Sequence, residues 1–461
     1  MIARLQNLRR PSILQLLIFA ALIQVVLTIS VYAIGRLGIL QGIDRDGCVI
    51  ALSPDSATSL AQANSLSDLL IRSPLVWLGI PGNFHLKLYS LSLAILRPLF
   101  GVNILSVEPI NLLCYISILW LAFKLGEEVF DRQAGLLATI AIALWPSFLL
   151  HTTQLLKDQI FIAVLLILVL IMACWLTRTF SWRLALLTGT AGAAAAYIVS
   201  LTRSGFWGAI VLAVALIGTG LLLIRQVRER RILIWNIFSA GLIVFATGTI
   251  LFFAPENLQA TPGFEVSPSG AVLPGGTELQ DGRQSFSLIA RADFFARRLS
   301  QLRQGFIDLN TNSGSDIDAS VRFDTVVDVG RYLPRAVVIG FLAPFPNHWF
   351  EQGQVAGIAG RLLSGLEMCA LYIVELLALI CLWRSRSNLE AWLLFLVNLA
   401  GVVALALAVI NLGALYRFRY GFFMLILILG AHGLMTLLGD WQQRKRKTDA
   451  ARQHLAGEQT V

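Results

Sequence analysis

Charge is scarce in this chain. Asp, Glu, Lys and Arg make up 14% of its 461 residues, hydrophobic residues make up 57%, and the mean hydropathy is +0.74. That balance excludes a water-soluble domain of this size and defines a polytopic membrane protein. The short alternating segments that build a transmembrane β-barrel are missing; the apolar runs approach the ~20 residues that cross a bilayer as a helix. Cysteine is rare as well. The five cysteines, at positions 48, 114, 174, 369 and 381, lie mostly inside apolar runs and without metal-ligand spacing, so they read as packing residues. No Asn-x-Ser/Thr acceptor occurs anywhere, which favours a bacterial plasma membrane. No internal repeat stands out.

The first apolar run, Ile13 to Ile34, follows Arg4, Arg9 and Arg10 and so has the basic start of a signal peptide. It is too long for a signal core and lacks a small-residue cleavage site, which predicts a retained anchor. Further crossings are expected at Val107 to Leu125, Ala134 to Leu150, Ile160 to Leu176, Leu184 to Leu201, Phe206 to Ile224, Ile232 to Phe253, Leu362 to Trp383, Ala391 to Ile410 and Tyr420 to Leu438. The expected fold class is therefore an all-α polytopic bundle of about ten transmembrane helices. His85 to Phe100 carries Lys87, Arg97 and Pro98, and Tyr332 to Phe350 is broken by Pro334, Pro344 and Pro346. Both suit helices that lie at the interface or enter it partway.

With that choice the basic clusters all fall on the N-terminal side: Lys124 and Arg132; Arg178 and Arg183; Arg225, Arg228, Arg230 and Arg231; Arg384 and Arg386; Arg444 to Lys447. The positive-inside rule then puts both termini in the cytoplasm and two long regions, Gly35 to Ser106 and Ala254 to Arg361, on the other side. The net charge of +9 and pI of about 9.6 arise largely from cytoplasmic loops and tail, so they report orientation and anionic lipid contact and give no support for nucleic-acid binding. Four parts follow: an N-terminal transmembrane module, residues 1–253, with its first external loop at 35–106; an external region at 254–361; C-terminal transmembrane helices at 362–440; and a basic tail at 441–461. Within the external region, Thr261 to Gly282 is rich in proline and glycine and reads as a flap. Ile289 to Phe306 interleaves Phe294, Phe295, Leu299 and Leu302 with Arg291, Arg297, Arg298 and Arg303, which suits either a helix on anionic head groups or one packed on the bundle.

Four polar features stand at the external ends of these spans. Asp55 lies in Ser53-Pro54-Asp55-Ser56-Ala57, just before a helix-like run to Leu70, where an N-cap is its plain alternative role. Gln154-Leu155-Leu156-Lys157-Asp158 puts a carboxylate and an ammonium beside the hydrocarbon, where an unpaired charge is costly; a snorkelling Lys with an N-capping Asp is the alternative. Thr202-Arg203-Ser204-Gly205 places an arginine in a tight external turn, against the positive-inside trend, and calls for an anionic partner. Leu415-Tyr416-Arg417-Phe418-Arg419-Tyr420 sets two arginines among aromatics at the start of the last span. That suits a lipid-linked phosphate or pyrophosphate, because guanidinium forks bind phosphate oxygens bidentately; an aromatic belt with lipid-facing arginines is the alternative. Glu367 and Glu375 share roughly one face of a predicted span, where an acid either hydrogen-bonds a neighbouring helix or marks a proton path.

In this order and on this common side, the features resemble the GT-C superfamily of polyprenyl-phosphate-dependent glycosyltransferases, the membrane group containing the protein O-mannosyltransferases and the aminoarabinose transferases of lipid A. The likeness covers most of the first 210 residues. It runs through Asp55 in the first external loop, His85-Leu86-Lys87-Leu88-Tyr89 at the start of an interfacial helix, and the turn from Gly126 through Asp131-Arg132 to Gly135. It continues with Trp145-Pro146-Ser147 in a proline-containing span and Asp158 closing the second external loop, and Tyr416 to Tyr420 looks like the family's last arginine-bearing segment. The chain departs from the family where the common Asp-Glu pair is Asp55-Ser56, and where the His-Pro-Pro-Leu start is His85-Leu86-Lys87-Leu88.

The resemblance implies a GT-C-like fold and an inverting hexosyl- or pentosyltransferase. Such an enzyme moves a sugar from a polyprenyl-phosphate donor to a glycan, lipid or protein acceptor on the non-cytoplasmic face, in cell-envelope or exopolysaccharide synthesis. The transfer needs a base for the acceptor hydroxyl and charge to stabilise the phosphate leaving group. Asp55 is the expected base, with Asp158 supporting the acceptor or a cation; Lys157, Arg203, Arg417 and Arg419 would hold the leaving phosphate, and His85, His151 and Tyr416 would support the acceptor or the loops. Some relatives use a divalent metal, but no ligand cluster in this sequence demands one and no other cofactor is required. Two further readings stay open. A polymerase or ligase of lipid-linked glycans would set external arginines around pyrophosphate in place of an Asp base. A transporter of a lipid-linked saccharide would carry charged residues along the middle of several spans and repeated halves, and apart from Glu375 such residues are nearly absent.

Overall fold

Each apolar run expected to cross the membrane is helical. The computed structural model describes residues 12–39, 43–48, 55–80, 84–202, 206–253, 288–309, 315–350 and 357–458. Among them are seventeen α-helices and no strand, with an antiparallel bridge between Asp316 and Asn411. Helix α1 (Ile13–Leu37) starts on a capping box, with Ser12 Oγ accepting from Gln15 N at 3.2 Å and Gln15 Oε1 accepting from Ser12 N at 3.0 Å. It buries one narrow stripe, Ala20, Gln24, Thr28, Val31 and Gly35, and its remaining apolar faces stay exposed as a lipid-facing helix requires.

Three helices then cap one end of the bundle: α2 (Asp55–Arg72), α3 (Pro74–Gly79) and α4 (Phe84–Phe100). Arg97 Nη1 on α4 holds Asp68 Oδ1 of α2 at 2.6 Å and Asn64 Oδ1 at 3.1 Å. Beneath them a small apolar cluster joins Ala63, Leu86, Tyr89 and Leu93 to Val31, Ile104, Val107 and Leu155.

Helices α5 (Glu108–Val129) and α6 (Arg132–Ala143) approach closely through two glycines; a Cβ on Gly126 would stand 2.6 Å from the Gly135 Cα. The expected span Ala134 to Leu150 is broken, because α6 and α7 (Pro146–Thr152) meet at 70°. Pro146 has no N–H to give and disfavours a helical Trp145, which sits at φ −72° and ψ 109°. Helix α8 (Asp158–Thr177) is buried on most sides, packed by α5, α9 (Trp182–Thr202), α10 (Phe206–Glu229), α15 (Leu389–Ala408) and α17 (Tyr420–Glu458). Helix α11 (Ile234–Phe253) lies on α9, and α14 (Gly357–Arg384) lies on α17. Nine helices among the described residues are long and apolar enough to cross a membrane, or ten if α6 and α7 form one span.

Two helices belong to the external region of the sequence reading, α12 (Leu288–Leu309) and α13 (Val326–Leu342). Neither α4 nor α13 is among the nine. Helix α13 nonetheless reaches into the bundle, with Gly340 so close to α15 that a Cβ there would stand 2.7 Å from Val402. Short α16 (Leu412–Phe418) precedes the last helix, and α17 runs unbroken from Tyr420 through the basic tail segment. Alternation of the spans gathers the α7–α8 turn, the starts of α14 and α17, and α16 at one end. Arg178, Arg228, Arg384 and the stretch 444–447 collect at the other end.

Candidate functional site

The site is centred where α8 begins. Asp158 is the first residue of that helix, and the preceding Lys157 gives no side-chain cap. The Asp158 carboxylate faces Arg417 of α16, with Nε 3.2 Å from Oδ2 and side-chain exposures of 10% and 8%. Helix α16 is seven residues long, about two turns, and is capped at its start. Asn411 Oδ1 accepts from Ala414 N at 3.0 Å, and the chain leaves the helix at Arg419 to start α17.

Four arginines are buried among the described residues: Arg225, Arg303, Arg417 and Arg419. Three of them satisfy carbonyls at the C-terminal ends of neighbouring helices, where backbone acceptors have no partner of their own. Arg225 Nη1 donates to Trp175 O at 2.7 Å and Arg178 O at 3.0 Å, at the end of α8. Arg303 Nη1 donates to Leu407 O of α15 at 3.0 Å. Arg419, with no exposure at all, places Nη1 on Gly340 O and Nη2 on Ala343 O, both at 2.6 Å, at the end of α13, and stacks over Phe423 at 4.7 Å. Arg417 meets a carboxylate on another helix, Asp158 of α8, whereas the carboxylate that Arg225 meets, Glu229 at 2.7 Å, lies on its own helix. The sequence alone groups Arg417 with Arg419; the structure turns their guanidinium groups to different tasks.

A second polar knot lies beside this pair. Glu367 of α14 accepts from Ser147 N at 2.6 Å, from Ser147 Oγ and from the Tyr416 hydroxyl. It thus supplies from another helix the N-terminal acceptor that α7 lacks. Burial first, and then the Glu367 carboxylate, push the Tyr416 phenol well above its ordinary pKa, which keeps it a donor. Tyr420 OH donates to Ser147 Oγ at 2.8 Å and lies 3.3 Å from His151 Nδ1, which is itself 2.6 Å from Ser147 O. Below Tyr420, the bend of the broken span leaves an apolar crevice lined by Ile142, Trp145, Phe148, Leu371 and Phe423. Of the two acids read together in the sequence, Glu367 hydrogen-bonds neighbouring helices. Glu375, deeper in α14, has an Oε1 without a hydrogen-bond partner among the described residues.

The start of α2 comes to the same place. Ser56 is fully buried and its Oγ accepts from Leu155 N at 3.1 Å, which ties the residue after Asp55 to the turn that delivers Lys157 and Asp158. The Asp55 side chain lies outside the described residues, as does Arg203. His85 is buried on α4, one helical turn before Tyr89, whose hydroxyl reaches Leu156 O at 3.4 Å. Lys157 is exposed at the mouth of the turn. No three His, Cys, Asp or Glu side chains among the described residues converge as a metal ion requires. The sequence reading did not single out Ser56, Tyr89, Asn111 or Gln159, although Asn111, a polar residue in an apolar run, was a visible signal.

No family model and no curated protein sequence matches the chain. Among solved structures, a likeness is found to ArnT from Cupriavidus metallidurans bound to undecaprenyl phosphate. It has 13% sequence identity, covers 89% of this chain and 77% of that one, and gives a TM-score of 0.35.

Proposed function

We propose that the chain is a membrane glycosyltransferase that takes a sugar from a polyprenyl-phosphate donor, working at the non-cytoplasmic face of a bacterial plasma membrane. The observation that carries this reading is the buried Asp158–Arg417 pair. It joins two helices, α8 and α16, and sits where the start of α2 meets the α7–α8 turn. A desolvated ion pair is a poor source of stability, so its retention points to use. Arg417, Lys157 and Arg203 would hold the phosphate as it leaves, since charge developing on phosphoryl oxygens is best met by fixed cations. Asp55 would take the proton of the acceptor hydroxyl, and Asp158 would orient the acceptor and hold Arg417 ready. Arg419 contributes by fixing α13 rather than by touching the donor, and His85, His151 and Tyr416 support the surrounding turns.

The test is turnover by the lipid-reconstituted protein on a panel of polyprenyl-phosphate sugars, following release of free polyprenyl phosphate. Native release with loss in Asp55→Asn and Arg417→Ala is expected, with both variants still folded and inserted. Full activity of Asp55→Asn would overturn its role as base. Consumption of pyrophosphate-linked oligosaccharides, with no turnover of any monosaccharide donor, would replace the reading with a polymerase or ligase.

A further inference from the structure

The turn between α7 and α8 is irregular backbone inside a membrane protein, and such backbone persists only when its polar groups find partners. Five of those groups find them in side chains. Thr152 O and Gln154 O accept from Gln159 Nε2 at 3.0 and 3.3 Å. Thr153 O accepts from Asn111 Nδ2 at 3.0 Å, and Leu156 O, 3.4 Å from Tyr89 OH, shares that hydroxyl's one proton with Asn111. Leu155 N donates to Ser56 Oγ at 3.1 Å. Asn111, on α5 and without exposure, stands at the centre: its Oδ1 accepts from Tyr89 OH at 2.8 Å and lies 3.5 Å from Gln159 Nε2.

We propose that Asn111 is a positioning residue for Lys157 and Asp158. Together with Tyr89 and Gln159 it fixes the backbone of the turn, and so fixes where Asp158 meets Arg417. The inference rests on Asp158 and Arg417 forming part of a transfer site. Asn111 touches neither charge. It acts through the carbonyl of Thr153, and a group displaced by about 1 Å at a reacting centre costs on the order of 100-fold in rate.

Hydrogen–deuterium exchange of the full chain in lipid nanodiscs tests the structural half, with Asn111→Ala and Tyr89→Phe beside the native protein. Tyr89→Phe removes only a hydroxyl and keeps the buried ring, so it decides the matter if Asn111→Ala does not fold. The segment 152–158 should exchange at least about tenfold faster in Asn111→Ala and to a smaller degree in Tyr89→Phe, while peptides from α9 to α11 keep their native rates. Donor turnover in Asn111→Ala should fall by about 100-fold in kcat with KM within about threefold. Native exchange of the turn in the folded variants overturns the positioning role, whatever chemistry the protein performs. Faster exchange with native kcat also overturns it; if Asp158→Asn is inactive in the same assay, the fault lies with Asn111 and the transfer reading stands.

Discussion

Replacing Asp158 by Asn removes the carboxylate 3.2 Å from Arg417 and leaves a guanidinium that is only 10% exposed. Breaking a buried pair from one side costs about 3–5 kcal/mol, because the remaining charge stays desolvated after losing its carboxylate. At roughly 2 °C per kcal/mol, melting should fall by about 6–10 °C. The buried thiols of Cys48 and Cys381 give the assay, since a thiol-reactive dye reaches them only as the bundle opens. Arg417→Met alone should fall by a similar amount. The double variant Asp158→Leu with Arg417→Met removes both charges at similar volume, and it should recover most of the lost melting temperature while remaining inactive. Stability and turnover thereby separate. A single variant melting within about 1 °C of native would show that the pair is not desolvated. A double variant with native turnover would refute its part in the reaction.

Glu367→Ala leaves Ser147 N and the Tyr416 hydroxyl without their acceptor, at about 1–3 kcal/mol each, while Glu367→Gln keeps a carbonyl oxygen and should retain more than half of that in a melting assay. Gly433→Ala puts a Cβ 2.1 Å from Leu377 O where α14 crosses α17, and should destabilise by about 1–3 kcal/mol. Gly439→Ala, on the same helix with nothing within 4 Å, should be neutral or gain up to about 1 kcal/mol; equal losses at both positions would contradict the packing described. Burial alone raises the Asp318 pKa, but hydrogen bonds from Arg335 at 3.0 Å and Tyr332 at 2.8 Å outweigh it and hold the carboxyl below its ordinary 3.8. A carboxyl depressed in the folded state stabilises above its unfolded pKa and loses that contribution as pH falls through the folded value, so melting should drop below about pH 4. Asp318→Asn, which tolerates the left-handed φ of 50°, should drop less; equal acid sensitivity would refute the linkage.

The spans were legible because each carries its own apolar length, and α4 and α13, which cover most of the two segments set aside for their prolines and charges, are each 17 residues long, shorter than any of the nine spanning helices. Ala134 to Leu150 reads as one crossing in the sequence in spite of Pro146, whereas the structure bends it by 70° and holds the start of α7 on Glu367, a partner 220 residues away in sequence. Local pattern holds no trace of such a contact. The same limit separates Arg417 from Arg419. Both are arginines among aromatics, and only the arrival of the α13 carbonyls decides that one of them is occupied. Asp55 and Asp158 were each visible as polar interruptions near a span, whereas Ser56 joining their segments rests on a single bond across 99 residues.

The spread of the buried ion pair along the chain also sets a timetable for its assembly. Asp158 leaves the ribosome roughly 260 residues before Arg417. At about 5–20 residues per second, the acid waits some 13–50 s for its cation. During that interval the start of α8 lacks the guanidinium of Arg417, which arrives only with α16, just before the final helix. A chain cut short before residue 417 would hold most of its spans yet lack the guanidinium that meets Asp158, a defect that membrane quality-control proteases are suited to find.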